Sequence, residues 1–171
     1  MPKIIKFIEK IADLSGTFAG WLVPLMMILM VVEVVTRYFL HQPLMIADEF
    51  TAYMLVALSY LGMAYTWRQG GHVRISLLTS RLSAKVSSKI RVVTLILVWI
   101  FMLEMVRVSY KMVVYARQID LRSPTWLTFP LFWPQMTVFI GFTILALVLT
   151  IEIVQGIIRI RAGEVLEGKI K

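Results

Sequence analysis

Charged and apolar residues alternate along this chain in long blocks. Four stretches contain no Asp, Glu, Lys or Arg: 14–32, 50–67, 92–103 and 123–151. At about 1.5 Å per residue, the first two stretches would form helices of about 28 Å, close to the ~30 Å apolar core of a bilayer. Because that core offers the backbone no water, such segments satisfy their hydrogen bonds as helices. The pattern predicts an all-α integral membrane protein.

The blocks predict four transmembrane helices in an antiparallel, up-down order with short connections. The predicted crossings are about 16–38, 48–67, 90–116 and 131–158. Two further stretches, about 2–15 and 76–89, set apolar residues at helical spacing opposite basic ones, which is typical of amphipathic helices on a membrane surface. Pro24 predicts a kink in the first crossing. The whole chain, 1–171, is predicted to be a single membrane domain.

Most Lys and Arg residues lie on alternate connections. Thirteen of the 18 fall in the N-terminal segment, the middle loop or the C-terminal tail: Lys3, Lys6, Lys10, Arg68, Arg74, Arg81, Lys85, Lys89, Arg91, Arg159, Arg161, Lys169 and Lys171. By the positive-inside rule these three segments face the cytoplasm. Both termini are therefore predicted to be cytoplasmic.

The composition excludes several function classes. A formal net charge of +8 makes nucleic-acid binding a candidate function. The basic residues flank helix ends, however, where contact with anionic lipid accounts for them. The chain has no cysteine, so disulfides and thiolate metal sites are excluded. His41 and His72 fall in loops on opposite sides, which disfavours a haem held between helices. With no nucleophile, metal or phosphate motif, we predict no enzyme and no catalytic, cofactor or metal site.

Several ionisable residues fall in the outer half of the predicted crossings. They are Glu33, Arg37, Asp48, Glu49, Glu104, Arg107 and Lys111. Charges at membrane depth are costly, so each needs a partner or a role. Glu33 and Arg37 are spaced to pair, and Glu104, Arg107 and Lys111 share one helix face. The set is interpreted as a network that fixes helix packing, as a docking site for another membrane subunit, or as a substrate or ion pathway.

An ordered series of residues between positions 37 and 77 carries a family resemblance. It consists of Arg37-Tyr38-Phe39, Pro43, Asp48-Glu49, Gly62, Arg68, Gly71-His72-Val73 and Ile75. The series resembles the small membrane subunit (DctQ-type) of the tripartite ATP-independent periplasmic (TRAP) transporters. Length, four crossings and cytoplasmic termini agree with that family over the whole chain. One departure is Met45-Ile46 before the acidic pair, where many members have a tryptophan.

The resemblance implies an accessory or scaffold subunit of a hetero-oligomeric secondary transporter in the bacterial inner membrane. A large multi-span permease would carry an organic acid, such as a C4-dicarboxylate or a sialic acid-like compound, together with sodium. A periplasmic substrate-binding protein would deliver that substrate through transient contact. The resemblance also implies structural or docking roles for Arg37, Asp48 and Glu49 near the periplasmic surface. It implies the same for Arg68 and His72 near the cytoplasmic surface.

Two other functions stay open from the residues alone. An autonomous four-helix transporter of the multidrug-exporter kind relies on a carboxylate deep in its first helix, whereas Glu33 lies about one turn from the outer end. A membrane-anchor subunit of a redox complex would hold haem, against which the positions of the histidines argue. Flux through vesicles that contain only this protein would favour the first, and a haem absorbance spectrum the second.

Overall fold

The computed structural model describes residues 2–70 and 84–161. Within these ranges the chain forms four α-helices, namely α1 (Pro2–Phe39), α2 (Ala47–Arg68), α3 (Ala84–Gln118) and α4 (Phe132–Arg161). The described residues form no β-strand, and one isolated bridge joins Arg122 to Pro130 in the loop between α3 and α4. The prediction of an all-α fold is confirmed.

Helix α1 is one uninterrupted helix of 38 residues, about 57 Å long at 1.5 Å per residue. A separate surface helix over about 2–15 is therefore not found, because that segment is the first part of α1. Ser15 and Thr17 lie inside this helix, and their hydroxyls donate to the carbonyls of Ala12 and Asp13 at 2.9 Å, as such side chains do within a helix. Pro24 lies inside α1, and its kink stays a prediction.

The other three helices follow the predicted blocks with one shift. α2 and α4 agree with the crossings predicted at about 48–67 and 131–158 to within one turn. α3 begins six residues before the predicted 90, so 84–89 belong to it and not to a separate surface helix. The rest of the predicted second surface helix, 76–83, lies outside the described residues.

Three of the described helices contain segments long and apolar enough to cross a membrane. These segments are Lys3–Phe39, Lys89–Gln118 and Phe132–Ile160. α2 has 22 residues but carries three tyrosines, two threonines and a serine, which lower its hydropathy. The long apolar helices are those of a membrane protein, and the crossing by α2 stays a prediction.

The helices pack in the spatial order α1, α2, α4, α3. α2 contacts both α1 and α4 extensively, whereas α3 packs chiefly on α4. α1 and α2 are antiparallel, because Arg68 at the end of α2 pairs with Asp13 near the start of α1. α3 and α4 are also antiparallel, because Arg91 near the start of α3 pairs with Glu152 in the second half of α4. Each helix thus runs opposite to its neighbour within these two pairs.

The larger of the two described core clusters joins all four helices, in the first halves of α1 and α3, the second half of α2 and the middle of α4. Its buried members are Ala12, Ala64, Leu95, Ile144, Leu145, Val148 and Leu149. A smaller cluster of Ala19, Leu22, Ala57 and Leu61 lies between α1 and α2. Alanines recur in both clusters because small side chains let helices approach closely, which is how helices associate without help from water.

Gly141 marks the closest approach between α4 and α2. A Cβ placed on it would lie 2.6 Å from the carbonyl carbon of Tyr60, well inside van der Waals contact. Gly16 of α1 is similarly covered by Tyr65, whereas Gly20 has no neighbouring atom within 4 Å of a Cβ position. Within the described chain, only the first glycine of the Gly16–Gly20 pair serves helix contact.

Candidate functional site

The charged side chains of the bundle form separate groups rather than one network. Among the described residues the charges of the outer half do not form one network, because α1 and α3 lie at opposite ends of the row of helices. A structural or docking role for each group stays a prediction. Glu33 and Arg37 pair within α1, and Glu104 and Arg107 pair within α3. Each group is therefore described by the helices and loops that it joins.

Glu33 fixes the loop between α1 and α2. Glu33 is only 3% exposed, and one of its carboxylate oxygens accepts a hydrogen bond from Arg37 Nε at 2.9 Å. The other oxygen accepts from the backbone N–H of Leu44 at 2.9 Å. The Glu33–Arg37 pair forms as its i, i+4 spacing predicts. The hydrogen bond to Leu44 also connects Glu33 to the loop that follows α1.

The two acidic residues at the start of α2, Asp48 and Glu49, differ in their contacts. The Glu49 carboxylate accepts from the hydroxyls of Tyr53 and Thr125, the latter in the loop between α3 and α4. Phe129 of the same loop lies 5.6 Å from Phe50, ring centre to ring centre. Asp48 is exposed and forms no ion pair with another described residue. Glu49 thus holds the loop, while Asp48 points to the surroundings.

A comparison of the two neighbouring carboxylates tests this division. Glu49→Gln should loosen the loop and lower stability, because an amide accepts these hydrogen bonds more weakly than a carboxylate does. Asp48→Asn removes the same charge but none of these bonds, so stability should not change. Limited proteolysis of the loop at 119–131 and thermal unfolding measure both effects. Equal losses in the two variants would show that charge alone matters.

Arg68 ties the end of α2 to the first part of α1. Its guanidinium donates to the carbonyl oxygen of Glu9 at 2.8 Å and to the carboxylate of Asp13. The sequence suggested a role for Arg68 near the cytoplasmic surface but gave no partner for it. His72, named with it, lies outside the described residues.

Glu152 joins three helices and was missed as a site residue. It accepts from Trp67 Nε1 of α2 at 2.7 Å and from Arg91 of α3 at 2.9 Å. Both partners are more than 60 positions away, so no local spacing signals them. The only hint in the sequence is a single carboxylate within an apolar block.

The charges of α3 face away from the bundle. Arg107 Nη1 donates to Glu104 at 2.8 Å, and their side chains are 63% and 55% exposed. Lys111 is exposed as well and forms no ion pair within the described part of the chain. Unlike Arg68 and Glu152, this group fixes no contact between helices within the described chain.

A groove of about 470 Å³ lies between α1 and α2. Glycine, alanine and hydroxyl residues line much of it, including Gly20, Gly62, Ser59 and Thr66. Both hydroxyls donate back to carbonyls of their own helix, and the described residues that line the groove are all uncharged. An organic anion would find no cation among them. Across residues 2–70 and 84–161, no group of three or more His, Cys, Asp or Glu could hold a metal ion.

One family model matches most of the chain. It describes the DctQ component of the tripartite ATP-independent periplasmic transporters and matches residues 26–159. The matched range begins inside α1 and ends inside α4, so it takes in α2 and α3 completely. It includes Glu33, Arg37, Glu49, Arg68 and Glu152. No curated protein matches the chain.

Proposed function

This chain belongs to the DctQ family, the small membrane component of TRAP transporters, and from that premise we propose that it is an accessory, scaffold subunit. It supports a large permease subunit in the sodium-driven uptake of an organic acid, such as a C4-dicarboxylate or a sialic acid-like compound. A periplasmic binding protein delivers the substrate. The family is one of transporter components and not of enzymes.

The use of the inward-facing charges supports a scaffold more than a carrier. The described charged residues that are buried or half-buried are Glu9, Asp13, Glu33, Glu49, Arg68, Arg91 and Glu152. Each of them contacts another helix or a loop of this chain. A carrier site needs polar groups that can exchange partners with a substrate. Here those groups already bind other groups of this chain.

The proposal includes four crossings with both termini in the cytoplasm of a bacterium. α2 would span about 33 Å at 1.5 Å per residue, enough for the ~30 Å core of a bilayer. It also packs between two long apolar helices, α1 and α4, which supports the same depth for all three. The basic residues near both termini and in the middle loop favour this orientation.

The outer loops offer the binding protein a surface. Asp48 is exposed at the start of α2, and Trp126 in the loop between α3 and α4 is 89% exposed. Glu49 ties the start of α2 to the loop between α3 and α4 by accepting from Thr125. We propose that this loop region makes the transient contact with the binding protein, whereas the helices bind the permease.

Joint and separate production of the two membrane subunits tests the function. We expect this chain to co-purify with the large permease in mild detergent. Uptake of a labelled organic acid should require both subunits. Vesicles that contain this chain alone should show no flux. Full uptake without this chain, together with its elution as a separate protein, would contradict the proposal.

A further inference from the structure

Helix α3 presents charges on the side opposite its packed face. Its buried residues are Val92, Leu95, Ser109, Val113 and Ala116, which face α4. At 3.6 residues per turn, Glu104, Arg107 and Lys111 fall on the other side of the helix. Apolar residues continue the same stripe. We name the α3 outer face as Leu97, Ile100, Glu104, Arg107, Lys111 and Tyr115, all of them exposed.

The charges of this face fall within the candidate membrane span of α3, Lys89–Gln118. Glu104 is 15 residues from the start and 14 from the end of the apolar span Lys89–Gln118, about 21–23 Å from each end. Lys111 is about 10 Å from the end of α3 by the same measure. Acyl chains offer a carboxylate or a guanidinium no polar partner. Something other than lipid tails therefore covers the α3 outer face.

The exposed face of α1 makes an instructive contrast. Between positions 14 and 32 it has no charge, and Trp21, Met27 and Val31 are each more than half exposed. Lipid chains cover such a surface at no electrostatic cost. If one of the two outer helices of the row contacts lipid and the other contacts a protein, the charges indicate that α3 contacts the protein.

We propose that the α3 outer face docks on a membrane-spanning helix of the large permease, and that this helix carries a carboxylate at the depth of Lys111. The proposal rests on the function above, which supplies the partner. Glu104 and Arg107 neutralise each other, which leaves Lys111 as one net positive charge on the face. A partner carboxylate neutralises that charge, and apolar residues of the same helix pack on Leu97 and Ile100.

Site-directed cross-linking within the full complex tests the docking face. The chain has no cysteine, so single cysteines can carry a photoreactive maleimide. Ile100→Cys and Tyr115→Cys probe α3, and Met27→Cys and Val31→Cys are matched controls on α1. We expect the α3 positions to cross-link to the permease at least fivefold more than the α1 positions.

The outcomes separate this inference from the proposed function. Cross-links from α1 alone, or from neither helix, while the two subunits still co-purify would overturn docking through α3 and leave the function intact. Failure to co-purify before any substitution would instead remove the function on which the inference depends.

Substitution of Lys111 tests the partner's charge. Lys111→Gln should lower the recovered permease about tenfold, whereas Arg122→Gln, an exposed cation in the loop, should leave it unchanged. Because Lys111 makes no ion pair within the described chain, the thermal stability of the isolated variant should equal that of the parent. Unchanged recovery would refute the partner carboxylate. The partner carboxylate would also be refuted if the amount of recovered permease depended on the anionic lipid content of nanodiscs equally in parent and variant. That result would indicate that Lys111 contacts a lipid headgroup.

Discussion

Replacing Gly141 with alanine is expected to force α2 and α4 apart and to destabilise the bundle strongly. The new methyl group would lie 2.6 Å from the carbonyl carbon and 2.8 Å from the Cβ of Tyr60. Neither atom can move by a side-chain rotation, so the helices themselves must shift. Overpacking costs ~1–3 kcal/mol, and we expect the upper end. Thermal unfolding of the purified protein should show a melting temperature lower by roughly 6–12 °C.

Gly20→Ala is the matched control for this substitution. It makes the same exchange inside a long helix, but no atom lies within 4 Å of the new Cβ. Alanine is favoured over glycine in a helix by up to ~1 kcal/mol, so the melting temperature should stay constant or rise. Similar losses at both positions would mean that glycine is needed for something other than the close approach of α4 to Tyr60.

Most helices could be predicted from the sequence because charged residues separate the apolar blocks that form them. α2 and α4 end close to the charged and proline-containing segments that bound their apolar blocks. The continuity of α1 could not be read in this way. An amphipathic stretch such as 2–15 suits a surface helix as well as a helix that packs on neighbours. Burial of Ala12 in the core shared with Ala64 and Leu149 depends on distant parts of the chain, which no local pattern reveals.

The charged contacts divide in the same way between local and distant partners. The Glu33–Arg37 and Glu104–Arg107 pairs follow from helical spacing, and both form. The bonds of Glu152 depend on the placement of α4 next to α2 and α3, which hydropathy does not encode. For the same reason, the described contacts do not join the Glu33–Arg37 pair to the Glu104–Arg107 pair. The first lies on α1 and the second on α3, at opposite ends of the row of helices.

Removal of the Glu33 carboxylate is expected to have the second large effect on stability. Glu33→Ala leaves the Leu44 N–H and the Arg37 guanidinium without their acceptor. A buried group that loses its partner costs ~1–3 kcal/mol; Arg37 is half exposed and can turn to water. We expect a loss of about 2–3 kcal/mol in thermal unfolding. Asp120→Asn, at an exposed pair with Arg122, should change stability by less than ~1 kcal/mol.

Glu33→Gln then separates a structural carboxylate from a transporting one. The amide oxygen of glutamine can still accept from Leu44 or Arg37, so about half of the lost stability should return. The variant lacks an ionisable carboxylate, however, and so cannot bind and release a proton or cation at this position. If Glu33 only holds the loop, uptake per assembled complex should equal that of the parent. An autonomous exporter would behave in the opposite way, with a well-folded glutamine variant and no transport. That result would place the transport step in this chain and remove the scaffold role, because a scaffold requires only that the loop stay in place.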